Sequence, residues 1–230
     1  MTRIVMLIPA FNEGDLIGET VKAALAMPGI DEVVVIDDGS EDETPFIAYD
    51  EGATVIQMDA NGGKGAALNR ALAETQADIY LMIDADLGPS AAETHRLLEP
   101  VLANQADMSI AVMRAPDGHK GGFGFVMKLA RWAVRKHGGM VLHAPISGQR
   151  AIRRELLDDI GGFEKGFGVE TALTIDALRK GYRIVEVPLP LTHRLSGRDW
   201  NGFVHRGRQF VDILQAVWRR RKAWPSAKKE

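Results

Sequence analysis

Short, nearly unbroken apolar runs recur along the chain, and between them apolar residues fall at helical spacing. Residues 3–8, 33–36, 54–58 and 79–83 read as the first four strands, those at 3–8 and 79–83 as buried ones. Residues 15–26 carry Ile17, Val21, Ala24 and Leu25 at helical spacing until Met27-Pro28-Gly29 stops the helix. A short helix is expected around 45–50. After a loop at 59–63, residues 65–74 place Leu68, Ala71 and Leu72 on one helix face. Strands alternating with helices predict an α/β fold with a single doubly wound, mostly parallel sheet. Its crossovers should be right-handed, with helices on both faces.

The second half is less regular. Helices are expected near 91–103, 125–137 and 169–180, with strands at 108–113 and 182–187. Residues 114–124 form a glycine-rich loop, and Pro188-Leu189-Pro190-Leu191 follows the last strand. A closing helix near 203–218 carries Phe210, Leu214, Val217 and Trp218 as one apolar stripe, the pattern of core packing. Trp200-Asn201-Gly202-Phe203 before it could form an acceptor lid or a homodimer contact. With no internal repeat and no interdomain linker, the chain reads as one domain over 1–218, with halves at 1–113 and 114–218. A basic tail occupies 219–230.

The chain has 230 residues, 28 basic against 31 acidic, for a net charge of −3 and a pI near 6.1. That balance argues against nucleic acid as a partner. Cysteine is absent, which excludes disulfides and thiolate metal sites. No apolar run approaches the roughly 18 residues that a membrane span needs. The apolar start at 4–11 breaks at Asn12-Glu13-Gly14 without a small-residue cleavage site. These features lead us to expect a soluble, cytoplasmic protein. The basic tail should be solvated, with peripheral contact to anionic lipid as the alternative.

Candidate chemistry collects just after the apolar runs, where an open parallel sheet gathers its reactive groups. The fourth run leads into Asp84-Ala85-Asp86, and alternation along an extended chain points both carboxylates the same way. Two such charges repel by about 4 kcal/mol at roughly 4 Å and an effective dielectric near 20. A divalent cation such as Mg²⁺, which takes one or two carboxylates plus substrate phosphates, would relieve this. An Asp-rich turn closing a strand explains the pattern equally well. Pro9-Ala10-Phe11-Asn12-Glu13 offers backbone for a flat base and Glu13 for a ribose hydroxyl, or is a turn capped by Asn12 or Asp15. Asp37-Asp38-Gly39-Ser40 supplies a carboxylate that can accept a base N–H, or is ordinary turn chemistry. Gly62-Gly63-Lys64-Gly65 opens a helix and suits an anion, through glycine amides, the helix N-terminus and the Lys64 charge. A flexible turn with a solvated lysine is the plainer account.

Together these stretches, in this order and spacing over the first 90 residues, resemble a family 2-type glycosyltransferase of the GT-A fold. The resemblance implies a nucleotide-diphosphate-sugar donor, for which we expect a UDP-sugar, with Pro9, Ala10, Glu13 and Asp38 at the nucleoside and Gly63 and Lys64 at the pyrophosphate. It implies Asp84 at the ribose or sugar, and Asp86 as ligand of Mg²⁺ or Mn²⁺. Further on, Ile146-Ser147-Gly148-Gln149-Arg150-Ala151, Gly166-Phe167-Gly168-Val169-Glu170 and Leu191-Thr192-His193-Arg194 are similar to stretches of glucosyl-3-phosphoglycerate synthases and their relatives. By that likeness Gly148 lines the sugar pocket, Glu170 lies by a hydroxyl acceptor, and His193 completes the metal site with Asp86. Imidazole suits Mn²⁺ better than Mg²⁺. One stretch departs from the pattern: Gly121-Gly122-Phe123-Gly124-Phe125 holds aromatics where those enzymes offer Arg and Thr to an acceptor phosphate.

The expectation is therefore transfer of a hexose, glucose by resemblance, from a UDP-sugar to a hydroxyl. Two alternatives stand beside it: transfer to a polyprenyl phosphate at a membrane surface, and a non-catalytic GT-A-like domain that binds nucleotide-sugars.

Overall fold

The computed structural model describes residues 1–113, 124–164 and 168–191, and seven strands of this part form one mixed sheet. They are β1 (Ile4–Ala10), β2 (Glu32–Asp37), β3 (Thr54–Gln57), β4 (Ile79–Met82), β5 (Met108–Met113), β6 (Arg150–Arg153) and β7 (Ile184–Leu189). Their order is β3-β2-β1-β4-β6-β5-β7. The first four are mutually parallel, as are β5 and β7. Between these groups β6 lies antiparallel to both β4 and β5, with Arg150 opposite Met82 and Ile110.

Alternation along the strands divides the core between the two faces. Val5, Leu7, Tyr80 and Met82 face Leu68 and Ala71 of α3 (Lys64–Glu74) and Leu173 of α7 (Val169–Arg179). Met6, Ile8 and Leu81 face Ile17, Val21 and Ala24 of α1 (Ile17–Leu25). The remaining helices are α2 (Thr44–Asp50), α4 (Leu98–Leu102), α5 (Gly124–Gly138) and α6 (Arg154–Ile160). A sheet covered on both faces is what unbroken apolar strands require.

Three expectations change. The single helix at 91–103 is instead a 3-10 stretch, Gly88–Leu97, followed by α4. The hydroxyls of Ser90 and Thr94 donate to the carbonyls of Leu87 and Ala91, three residues back, which suits the tighter turn. Pro100, within α4, has no N–H to give Arg96. Residues 150–160, left without an element, form β6 and α6. The last strand starts at Ile184 and runs through Pro188, which an edge strand tolerates because it needs no second ladder. The loop expected at 114–124 falls almost wholly, and the helix at 203–218 and the basic tail wholly, outside the described residues. Among the described residues, no helix is long and apolar enough to cross a membrane.

Candidate active site

Strands β1, β2 and β4 end on one edge of the sheet, and the loops that follow them are tied to one another by side chains. After β1, the Asn12 amide donates to Ser40 Oγ at 2.9 Å, while Asn12 Oδ1 accepts the Glu41 amide at 2.8 Å. Asn12 has φ 55°, a left-handed conformation that asparagine adopts more readily than most residues. The Glu13 amide donates to Thr44 Oγ1 at 2.8 Å, and the Gly14 amide to Asp42 Oδ2 at 3.1 Å. Partial burial pushes the Asp42 carboxyl up, but hydrogen bonds from Thr44 and Gly14 outweigh it and hold the group below its ordinary value. Pro9 and Ala10, the last residues of β1, thus pair with the end of β2, and Glu13 sits on a loop fixed against the segment that follows it.

Asp38, buried at 4% exposure, accepts the amides of Gly62 and Gly63, both at 2.8 Å. The two glycine amides expected to face an anion are turned to this carboxylate. Asp38 therefore organises the loop that presents Lys64, besides standing at the expected nucleoside locus. The neighbouring Gly39 has φ +76°, and a Cβ there would meet the Ala60 and Asn61 backbone at 2.9 Å, so the two loops approach at a glycine.

Lys64 opens α3 and reaches across the cleft. Its Nζ lies 2.7 Å from Asp84 Oδ1 and 2.9 Å from Glu170 Oε1, the latter in the first turn of α7. Burial pushes the ammonium down, but the two carboxylates outweigh it and hold Lys64 above its ordinary value. Asp84 is also held from its other side, where Gln149 Nε2 donates to Oδ2 at 2.5 Å. Gln149 is itself fixed by Ser147 Oγ at 3.0 Å. Gly148, beside it, has no room for a side chain: a Cβ would come within 2.5 Å of Asp84 Oδ1 and 2.6 Å of Lys64 Nζ.

Asp86 lies half-buried two residues on, in a segment pinned by Thr20 of α1. The buried Thr20 hydroxyl donates to the Ala85 carbonyl at 2.8 Å and accepts the Gly88 amide at 2.9 Å. The structure therefore gathers Lys64, Asp84, Gly148 and Glu170 in one cluster, with Asp86 close in sequence. Pro9 and Ala10 end β1, and Glu13, Asp38 and Gly63 are on adjoining loops. His193 lies outside the described residues, and among those described no group of three or more His, Asp or Glu gathers to hold a metal. Asp86 supplies a hard oxygen donor, which fits an ion that draws its other ligands from substrate phosphates. Sequence reasoning missed Gln149 and Thr20. For Thr20 a signal existed, since a hydroxyl between Ile17 and Ala24 falls on the apolar face of α1 and needs a partner.

A cation shared between two carboxylates at the start of a helix can receive a polyphosphate and hold a base near it. Known proteins are similar to this chain in sequence and shape. A glucosyl-3-phosphoglycerate synthase of Mycolicibacterium smegmatis is 32% identical over 191 residues, covering 74% of this chain; the chain spans 62% of that relative's length. The glucosyl-3-phosphoglycerate synthase of Mycobacterium tuberculosis, solved with Mg²⁺ and uridine diphosphate, superposes with a TM-score of 0.81 at 28% identity. That match covers 95% of this chain and 79% of the other. The same enzyme solved with Mn²⁺, UDP-glucose and phosphoglyceric acid gives 0.79 at 27% identity, over 95% and 79%. The sheet and its flanking helices make up the GT-A fold expected from the motifs. The family model for glycosyl transferase family 2 matches residues 6–161, from within β1 to the end of α6. By that match the chain belongs to glycosyl transferase family 2.

Proposed function

We propose that the chain is a metal-dependent hexosyltransferase that moves glucose from UDP-glucose to a hydroxyl acceptor. The observation that carries this reading is the Lys64 ammonium held between Asp84 and Glu170, beside Asp86, at the carboxyl edge of the parallel strands. Solved relatives bind UDP, UDP-glucose and Mg²⁺ or Mn²⁺ in the same fold, which supports the donor and the ion.

In this reading residues 1–113 bind the nucleotide-sugar and residues 114–218 the acceptor. Pro9, Ala10, Glu13 and Asp38 receive the nucleoside, and Lys64, presented by the turn that Asp38 holds through Gly62 and Gly63, the diphosphate. Asp84, clamped by Lys64 and Gln149, presents a fixed carboxylate to the sugar, and the bare backbone of Gly148 leaves it space. Asp86 and His193 would hold Mg²⁺ or Mn²⁺, which supplies Lewis-acid neutralisation of the departing diphosphate. Lys64 shares that charge from the other side. As the diphosphate draws Lys64 toward it, Glu170 is left to orient the acceptor hydroxyl and take its proton. The aromatics at Phe123 and Phe125, in place of Arg and Thr, support an acceptor other than phosphoglycerate.

Thermal melting with UDP-, GDP- and dTDP-sugars, each with and without Mn²⁺ or Mg²⁺, tests this. Ligand at about 100 times its dissociation constant adds roughly 2.7 kcal/mol, a rise of roughly 5–10 °C for a chain of this size. A shift with UDP-sugars alone, and only with metal, is the expected result. No shift with any donor overturns the reading. A UDP-sugar shift with neither transfer nor hydrolysis overturns the catalytic part alone.

A further inference from the structure

Arg150, the first residue of β6, is wholly buried beneath the cluster and has no part in the chemistry above. Its guanidinium meets neutral oxygens in three directions. Nε donates to the Ser147 carbonyl, Nη2 to the Pro145 carbonyl and Nη1 to Thr174 Oγ1, each at 2.8 Å. Burial pushes the group down to about 10, against the pull of Glu170, Glu186 and Asp84, so it remains charged at neutral pH. A buried cation tied to neutral oxygens is a costly way to fill a core, which an apolar side chain would fill more cheaply.

The partners explain the placement. On one side, the Pro145 and Ser147 carbonyls belong to the turn that delivers Gln149 to Asp84, and Ser147 Oγ also holds Gln149. On the other, the Thr174 hydroxyl that accepts from Arg150 donates onward to the Glu170 carbonyl at 2.7 Å. Lys64 closes the circuit between Asp84 and Glu170. We propose that Arg150 is a positioning residue whose fork fixes the separation between the donor-side carboxylate, Asp84, and the acceptor-side carboxylate, Glu170. The inference rests on the glycosyl-transfer reading. Only a planar fork spans the turn and the helix at once; a lysine in its place has a point charge and no second arm.

The test uses the full chain with UDP-glucose and Mn²⁺, reading UDP release with water and with a panel of hydroxyl acceptors (glycerol, glycerate, glucose and 3-phosphoglycerate), and UDP affinity by calorimetry. Thr174→Val preserves volume and removes the hydroxyl between Arg150 and Glu170. A misplaced acceptor-side carboxylate should lower kcat by about tenfold or more, with KM for UDP-glucose and affinity for UDP within about threefold. Thr174→Ser should restore kcat to within about threefold, since it keeps the hydroxyl. In a Glu170→Gln background, Thr174→Val should cost less than about twofold more, because the strut acts through that residue. Arg150→Lys should show the same split between kcat and KM, and if it fails to fold, Thr174→Val carries the test. Unchanged kcat in Thr174→Val, or a loss that multiplies in full with that of Glu170→Gln, overturns the proposal while the function stands. An unmodified chain that neither binds UDP by calorimetry nor turns over UDP-glucose with water or any acceptor of the panel overturns the function and this proposal with it.

Discussion

The two sides of the cleft are held by different means. On the side proposed to take the donor, short polar side chains grip the backbone of neighbouring loops: Thr44 the Glu13 amide, Asp38 those of Gly62 and Gly63, Thr20 the segment carrying Asp86. On the side proposed for the acceptor, position comes from packing, a strand inserted against the sheet direction, a helix laid across it and a buried guanidinium between them. The difference teaches where sequence motifs come from. A loop tied through its own turn residues must keep those residues beside the functional one, whereas a group placed by packing depends on residues far away in the chain.

Lys64, which touches Asp84 on one side and Glu170 on the other, gives the largest expected effect. Lys64→Met leaves Asp84 and Glu170 facing each other, and turnover of UDP-glucose should fall by about 100- to 1,000-fold. If steady-state kinetics show only a weaker KM, Lys64 belongs to the donor side alone and the comparison breaks at its centre. Gly148→Ala comes next. Its Cβ would press on both Asp84 and Lys64, so kcat should fall about 100-fold while circular dichroism stays unchanged. Full activity would mean that the acceptor-side turn yields, contrary to a packed floor.

Asp38→Asn tests the loop grip. An amide nitrogen replaces one acceptor, leaving a glycine N–H unpaired at a cost of about 1–3 kcal/mol. Melting should drop by roughly 2–8 °C, with donor affinity weakened alongside it. The smallest effect lies away from the cleft, where Asp107 and Arg183 precede β5 and β7 at the opposite edge of the sheet. Hydrogen bonds from Arg183 hold the Asp107 carboxyl below its ordinary value of 3.8, despite partial burial. A lowered folded-state value contributes stability above about pH 4 that is lost as pH falls further. Asp107→Asn should therefore destabilise by about 1 kcal/mol or less at pH 7, and by less still at pH 2, with turnover at pH 7 unchanged. Melts at both pH values check this.

The same contrast explains what the sequence disclosed. The parallel strands, the order of the helices around them and the four motifs of the donor side could all be read, because apolar runs and turn residues are local signals. Thr20 was within reach, as a hydroxyl on an apolar stripe. Strand β6 was not: Arg150 and Arg153 bracket only two apolar residues, and nothing local marks Arg150 as wholly buried. Gln149 reads as any polar loop residue until Asp84, 65 positions earlier, is brought against it. The 3-10 stretch at Gly88–Leu97 also escaped, since its apolar spacing imitates a helix while its hydroxyls favour the tighter turn.

The antiparallel insertion of β6 sets an order on how the molecule comes into being. Strands β3, β2, β1 and β4 can associate from the first 82 residues, but β5 has no place beside β4 until Arg150–Arg153 arrives between them. Until then β4 presents an unpaired inner edge, the kind of surface that recruits other chains. Closing so long a loop is slow relative to local helix and strand formation. The strand that completes the sheet also delivers the floor of the cleft, so recovery of sugar-nucleotide turnover during refolding should trail the recovery of secondary structure. In this chain, catalytic competence is the signature that folding has finished.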